Sequence, residues 1–281
     1  MGATGDGPSF GIHPSALGLD PIRRYTSILA ETVAANDAST PIPTAGSWTL
    51  ADLAIHMVEV QDFWAWIIEH RPSTPDDRVQ PTNADDLDTT DIQPDQLAEL
   101  LVDTNAALST HLEKASLADR AWSWHPEHQT VEFTWRRQSH EALIHCFDAV
   151  LAVGAEWPTV SQELAADGLD ELFTIMAGGV PDWAQYRRSD DRLAVEASDT
   201  GDHWTLEFGT ITGRSPGGTD YADEPLIAVV DDSMPCGGRI QGRALDLDLW
   251  AWGRIGADNI VHEGDPMLVE RLRRLVAEST E

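Results

Sequence analysis

The sequence predicts an α+β protein in which an N-terminal four-helix bundle is followed by a smaller C-terminal α+β domain. Two observations predict this class. The first half carries four segments with apolar side chains at a spacing of three or four residues, and a long polar connection separates the second segment from the third. In the second half, short segments with β-branched and aromatic side chains alternate with helical segments, which is typical of a mixed α+β domain.

The helices of the first half have recognisable ends. They are predicted at about 19–36, 49–71, 94–113 and 135–153. Thr49 begins the second helix with Asp52 three residues later, which is the pattern of a capping box. Gly154 ends the fourth helix. Residues 73–91 are rich in Pro, Asp and Thr and are predicted to form a long surface loop near the functional site.

The second half contains both element types. Strands are predicted at 192–197, 204–210 and 226–231, and helices at 161–176, 245–252 and 266–278. The domain boundary is placed near residues 157 and 158, so that the helix bundle covers 19–157 and the α+β domain covers 158–281. Residues 1–18 lack a basic region and an apolar stretch, so we expect a flexible tail and not a secretory signal.

Composition excludes several classes of partner. The formal net charge is −30, which repels phosphate backbones and anionic lipids, so neither nucleic acid nor a membrane is expected as a partner. No apolar run reaches the roughly 18 residues that a transmembrane helix needs. The two cysteines are too few for a disulfide framework, which favours a cytoplasmic location. No pattern indicates the oligomeric state.

His56 lies on the apolar face of the second predicted helix. Leu53 and Val60 stand three residues before it and four after it, and therefore share its face. Two interpretations fit this position. The imidazole is either a hydrogen-bonded core side chain or a metal ligand that points into the bundle.

Glu141 and His145 form a second candidate pair on the fourth helix. They are four residues apart and share one face, where the neighbouring side chains include several alanines. They are either a solvated surface pair or a metal-facing stripe that lets another helix approach closely. Asp148, three residues beyond His145, would then orient its imidazole. The spacing differs from the His-Glu-x-x-His of zinc proteases, so it does not indicate a protease.

Four segments resemble the mycothiol-dependent maleylpyruvate isomerase family. Residues 48–56 are similar to its Trp-x-x-x-Asp-Leu-x-x-His stretch, and residues 136–149 to its Arg-x-x-x-His-Glu-x-x-x-His-x-x-Asp-Ala stretch. Residues 164–171 are similar to Ala-x-Asp-Gly-x-x-Glu, and residues 249–254 to the Leu-x-x-Trp-Gly-Arg ending. Order and spacing agree along nearly the whole chain, so the resemblance covers both halves.

The resemblance implies a DinB-like helix bundle that binds a divalent metal ion, usually zinc. Carried over by position, the metal ligands are His56, Glu141 and His145. His140 is left out because it points about 100° away from Glu141 on the helix. The resemblance also implies mycothiol or a similar low-molecular-weight thiol as cosubstrate, together with a small-molecule substrate that it does not identify.

Three functions are compatible with such a site. In the first, the metal binds a thiol as thiolate, which adds to a conjugated cis double bond for isomerisation or is retained in thiol transfer. Arg254, from the ending just described, is the candidate catalytic residue that binds a substrate carboxylate, with Arg243 in reserve. The second is a hydrolase that uses metal-bound water with Glu59 or Asp148 as base. The third is a metal-binding module without catalysis.

Overall fold

The computed structural model describes residues 19–74, 92–231 and 234–279, which form two compact units that divide between Thr159 and Val160. The predicted tail, 1–18, and all but the first two residues of the predicted loop 73–91 lie outside the described residues. Helices alone build the first unit, and helices with one sheet build the second, which confirms the predicted α+β class. Among the described helices, none is long and apolar enough to cross a membrane.

The first unit is the predicted four-helix bundle. Its helices are α1 (Asp20–Ala35), α2 (Leu50–His70), α3 (Pro94–Lys114) and α4 (Val131–Val153). Both α1 and α2 pack against α3 and also against α4. Apolar side chains at helical spacing fill the interior, and those without any exposed surface include Ile22, Leu29, Leu53, Met57, Leu101, Leu108, Leu143 and Phe147.

The start of α2 is set by the predicted capping box. The Thr49 hydroxyl accepts a hydrogen bond from the Asp52 amide at 3.3 Å, and the Asp52 carboxylate accepts one from the Thr49 amide at 2.8 Å. Both amides would otherwise lack an intrahelical partner. The helix ends at His70, and Arg71 follows in the left-handed conformation with φ 52°. The start of α2 therefore follows from the two capping-box residues.

The fourth helix begins four residues earlier than predicted. It starts at Val131, where the Thr130 side chain accepts a hydrogen bond from the Phe133 amide at 3.4 Å. Valine and phenylalanine are moderate helix formers and hide the helical pattern in this first turn. The C-terminus is as predicted, because Gly154 adopts φ 64° and ends the helix.

The second unit contains one five-stranded sheet of order β3-β2-β1-β4-β5. Its strands are β1 (Ala184–Ala197), β2 (His203–Arg214), β3 (Asp220–Val229), β4 (Gly238–Gly242) and β5 (Val261–Gly264). Strand β4 runs parallel to β1, and the other neighbours are antiparallel. The helices are α5 (Gln162–Glu171), which continues as a π-helical turn over Leu172–Met176, α6 (Ala244–Ala251) and α7 (Pro266–Ser279).

Two strands of this sheet were not predicted. Strand β4 begins inside the Pro-Cys-Gly-Gly segment 235–238, which the sequence indicates as a turn, and β5 consists of four exposed residues. Strand β1 also begins eight residues before the predicted 192, in an arm that is mostly polar and partly exposed. Short or solvent-facing strands lack the alternation of apolar and polar side chains that identifies a strand from sequence.

Candidate metal centre

Helices α2 and α4 bring His56, Glu141 and His145 together. The Oε1 atom of Glu141 lies 3.3 Å from the Nε2 atom of His56 and 3.3 Å from the Nε2 atom of His145. One ligand atom from each of the three side chains lies within 4.8 Å of the other two. Within the part of the chain that the structure describes, these three residues are the one group of at least three histidine, cysteine, aspartate or glutamate side chains that could hold a metal ion.

The spacing of these atoms fits a divalent metal ion. Metal–nitrogen and metal–oxygen bonds of about 2.0–2.2 Å at a tetrahedral centre place two ligand atoms roughly 3.4 Å apart. The 3.3 Å separations of Oε1 of Glu141 from Nε2 of His56 and from Nε2 of His145 agree with that value. Two imidazoles and one carboxylate are also a donor set that zinc and related metals accept. Three protein ligands leave at least one coordination position for a substrate or cosubstrate.

The three side chains are largely enclosed by the bundle. Their exposed fractions are 29% for His56, 20% for Glu141 and 14% for His145, so Glu141 and His145 are not a solvated surface pair. Ala142 and Ala149 on α4 are fully buried.

Asp148 holds the imidazole of His145 in place. Its Oδ2 atom lies 2.9 Å from Nδ1 of His145, and Thr44 donates its hydroxyl proton to Oδ1 at 2.5 Å. The contact between Asp148 and His145 that the spacing predicted is therefore confirmed. A carboxylate that accepts the Nδ1 proton leaves Nε2 as the nitrogen with a free lone pair, which is the atom that faces Glu141.

The charges of this cluster shift two pKa values in opposite directions. Burial by itself would raise the pKa of Glu141, but hydrogen bonds with His145 and His56 and the positive charges of His145 and Arg137 hold it well below its usual value. Burial would lower the pKa of His145, but Asp148 and Glu141 raise it to about 9. Without a metal ion, the cluster is therefore an ionised carboxylate with a protonated imidazole, and a metal ion would replace that proton.

Comparison with known proteins identifies the family. The model of the mycothiol maleylpyruvate isomerase N-terminal domain matches residues 19–150, and the model of the C-terminal domain of the same family matches residues 163–271. The chain belongs to the mycothiol-dependent maleylpyruvate isomerase family. The resemblance in the four sequence segments is thereby confirmed.

Solved structures of the family share the fold. The crystal structure of the mycothiol-dependent maleylpyruvate isomerase matches with a TM-score of 0.56 and 16% identity, over 88% of this chain and 92% of that one. A variant of that enzyme with one histidine replaced by alanine matches with a TM-score of 0.55 and 15% identity over the same shares. No match was found among curated proteins.

Two further residues, Arg137 and Trp48, lie next to the three candidate ligands. Arg137 donates a hydrogen bond from Nη2 to Oε2 of Glu141 at 3.0 Å. The indole ring of Trp48 lies 5.0 Å from the His56 ring and 6.5 Å from the His145 ring, measured between centroids. Neither residue was predicted to belong to the site. The spacing of four residues between Arg137 and Glu141 was a usable signal, whereas Trp48 carried none beyond its place in the first resembling segment.

The remaining candidates are not among the three grouped residues. His140 is buried and is not one of the three grouped residues, in line with its predicted direction. Glu59 is exposed on α2. Arg254 belongs to the second unit and follows α6, where its Nη1 donates to the carbonyl oxygen of Trp252 at 2.7 Å. Arg243 is also in the second unit, and its side chain is 67% exposed.

Proposed function

We propose that this protein is a metal-dependent isomerase that uses mycothiol or a similar thiol to convert a cis-configured, maleylpyruvate-like acid to its trans isomer. Thiol transfer, in which the adduct is retained, is the related reaction of the same site. The observation that carries the proposal is the cluster of His56, Glu141 and His145 in a chain that belongs to this family. We propose zinc as the metal and the cytoplasm as the location.

The chain's own residues would prepare the site in three ways. His56, Glu141 and His145 would hold the ion, and Asp148 keeps Nε2 of His145 directed at it. A bound divalent ion would supply the positive charge that keeps a thiol ionised near neutral pH, although a free thiol has a pKa of about 8.5. Trp48 lies beside both imidazoles and would form one wall of the site.

The proposed reaction needs no redox partner. The thiolate sulfur forms a bond to one carbon of the conjugated double bond, and the electron pair of that bond moves into the adjacent carbonyl group. Rotation about the resulting single bond follows. Return of the electron pair expels the thiolate and leaves the trans double bond, so that the thiol is regenerated. Cys146 takes no part, because it is buried and burial raises the pKa of its thiol to about 12.

Neither of the two candidate bases, Glu59 and Asp148, supports the hydrolytic alternative. Glu59 is exposed and is not part of the cluster, and Asp148 already accepts hydrogen bonds from His145 and Thr44. A hydrolase needs a free base beside the attacking water. The isomerase is therefore favoured over the hydrolase. A turnover assay distinguishes the isomerase from a metal-binding module without catalysis.

We expect turnover of a maleylpyruvate-type substrate only when both metal and thiol are present. The assay follows the ultraviolet absorbance of the conjugated acid with zinc-loaded protein, with and without mycothiol. Chelator-treated protein is the control. Thiol-independent cleavage of esters or amides would contradict the proposal in favour of a hydrolase. Tight metal binding without any turnover would favour the non-catalytic module.

We propose that Arg254 binds a carboxylate of the substrate through paired hydrogen bonds. The protein carries a net charge of −30, so an anionic substrate needs a local positive charge. We expect Arg254→Gln to raise KM by roughly 10- to 100-fold, since a hydrogen bond to a charged group contributes about 1.5–3 kcal/mol. Arg187→Gln is the matched control, because Arg187 is an exposed arginine of the same unit, and Arg243→Gln tests the reserve candidate separately. The assignment fails if Arg254→Gln leaves KM unchanged or if the control raises KM to the same extent.

A further inference from the structure

We propose that Arg137 is a positioning residue that restricts Glu141 to one ligating oxygen and so keeps a coordination position open for the thiol. This inference rests on the proposed metal site. It concerns a contact that neither the resembling segments nor the family match assigns. It predicts how many atoms of this chain a bound metal ion contacts.

The two carboxylate oxygens of Glu141 have different neighbours. Oε1 lies 3.3 Å from each of the Nε2 atoms of His56 and His145. Oε2 lies 3.0 Å from Nη2 of Arg137, whose side chain is only 6% exposed. One oxygen therefore faces the two other candidate ligands, and the other is held by a buried guanidinium group.

The helix makes this contact by its periodicity. Arg137 precedes Glu141 by four residues and therefore lies on the same face of α4. Arg136 is the arginine that corresponds to the one in the resembling segment, but it precedes Glu141 by five residues. At about 100° per residue it lies roughly 140° away around the helix. The structure thus assigns the positioning role to the second arginine of the pair.

The hydrogen bond between Arg137 and Glu141 joins two ionised groups, so it is about twice as strong as a neutral one. Because the guanidinium group is buried, water competes poorly with this contact. A carboxylate can bind a metal ion through one oxygen or through both. With Oε2 held by Arg137, Glu141 presents Oε1 alone, so His56, Glu141 and His145 together provide three ligand atoms. Without the guanidinium, the carboxylate is free to bind through both oxygens, and the second oxygen takes a position that the thiol needs.

The test uses the full chain with zinc or cobalt(II) bound, and compares wild type with Arg137→Met. Zinc X-ray absorption gives the number of nitrogen and oxygen neighbours, and a thiolate-to-cobalt absorption band gives the affinity for added mycothiol. With mycothiol added at a concentration that just saturates wild type, we expect Arg137→Met to show one more nitrogen or oxygen neighbour and less sulfur than wild type. We also expect it to bind the thiol roughly 10-fold more weakly, in the range seen for loss of groups that orient metal ligands. Arg23→Met, which removes an exposed arginine–glutamate pair of the same unit, should match wild type in both measurements.

A second variant keeps the test decisive if Arg137→Met does not fold. Arg137→Gln keeps a hydrogen-bonding side chain at this buried position but removes the charge that strengthens the contact with Oε2, so we expect weaker thiol binding than in wild type with the metal still bound. In a folded Arg137 variant treated with mycothiol, an unchanged number of nitrogen and oxygen neighbours together with an unchanged thiol affinity would overturn the inference alone. A wild-type protein that binds no metal would instead overturn the proposed function, and this inference with it.

Discussion

Replacement of either His56 or His145 by alanine is expected to abolish binding of the divalent metal ion and, with it, thiol-dependent turnover. Each imidazole supplies one of three ligand atoms that lie within 4.8 Å of one another. Two remaining ligands cannot hold zinc against dialysis, since stable sites have three or four protein ligands. Metal analysis after dialysis should find about one ion per wild-type chain and none in either variant.

Thermal unfolding supplies a second measurement of the same prediction. A metal that binds only the folded protein stabilises it by about 2.7 kcal/mol at a free concentration 100 times Kd. Added zinc should therefore raise the Tm of wild type and leave the Tm of both variants unchanged. His70→Ala is the control, because His70 is exposed at the end of the same helix as His56. Full metal retention in both His56→Ala and His145→Ala would disprove the assigned ligands.

In the second unit, replacement of Arg192 by methionine is expected to lower the free energy of unfolding by about 3–5 kcal/mol. Arg192 on β1 and Glu207 on β2 stand directly opposite each other and form an ion pair in which each side chain is only 4% exposed. Loss of the arginine leaves the glutamate charge buried without its counter-charge, which is the costly change. Urea unfolding of wild type and variant measures the difference.

The matched experiments separate the buried charge from the lost contact. The double variant Arg192→Met/Glu207→Leu removes both charges and should recover most of the lost stability. Arg187→Met breaks the pair with Asp223 on the same sheet, where both side chains are about 70% exposed, and should cost less than about 1 kcal/mol. If Arg192→Met and Arg187→Met lowered the free energy of unfolding equally, burial of the Arg192–Glu207 pair would carry no special cost.

Local signals explain why the helix bundle was predictable. The capping box of Thr49 and Asp52 and the left-handed Gly154 each act within one helical turn, and the structure contains both. The sheet was less predictable. Strand β5 is stabilised by pairing with β4, so its four exposed residues carry no pattern of their own.

The candidate site likewise contains some contacts that local spacing predicts and others that it does not. The pairs Glu141–His145 and His145–Asp148 follow from spacing on one helix, and the structure contains both contacts. The hydrogen bond from Thr44 to Asp148 joins residues 104 positions apart. No local pattern predicts such a contact, because it depends on how the segment before α2 packs against α4.

The sequence by itself determined the helical faces, the main helix ends, the acidic charge and, through four ordered segments, the family. The resemblance implied that His56, Glu141 and His145 act together, but only the tertiary structure shows that His56 contacts Glu141, 85 positions away, and that the Glu141–His145 pair is enclosed and not solvated. Helical periodicity states which side chains share a face. It does not state which helix packs against that face, and this packing is what brings one histidine of α2 and two residues of α4 into a single cluster.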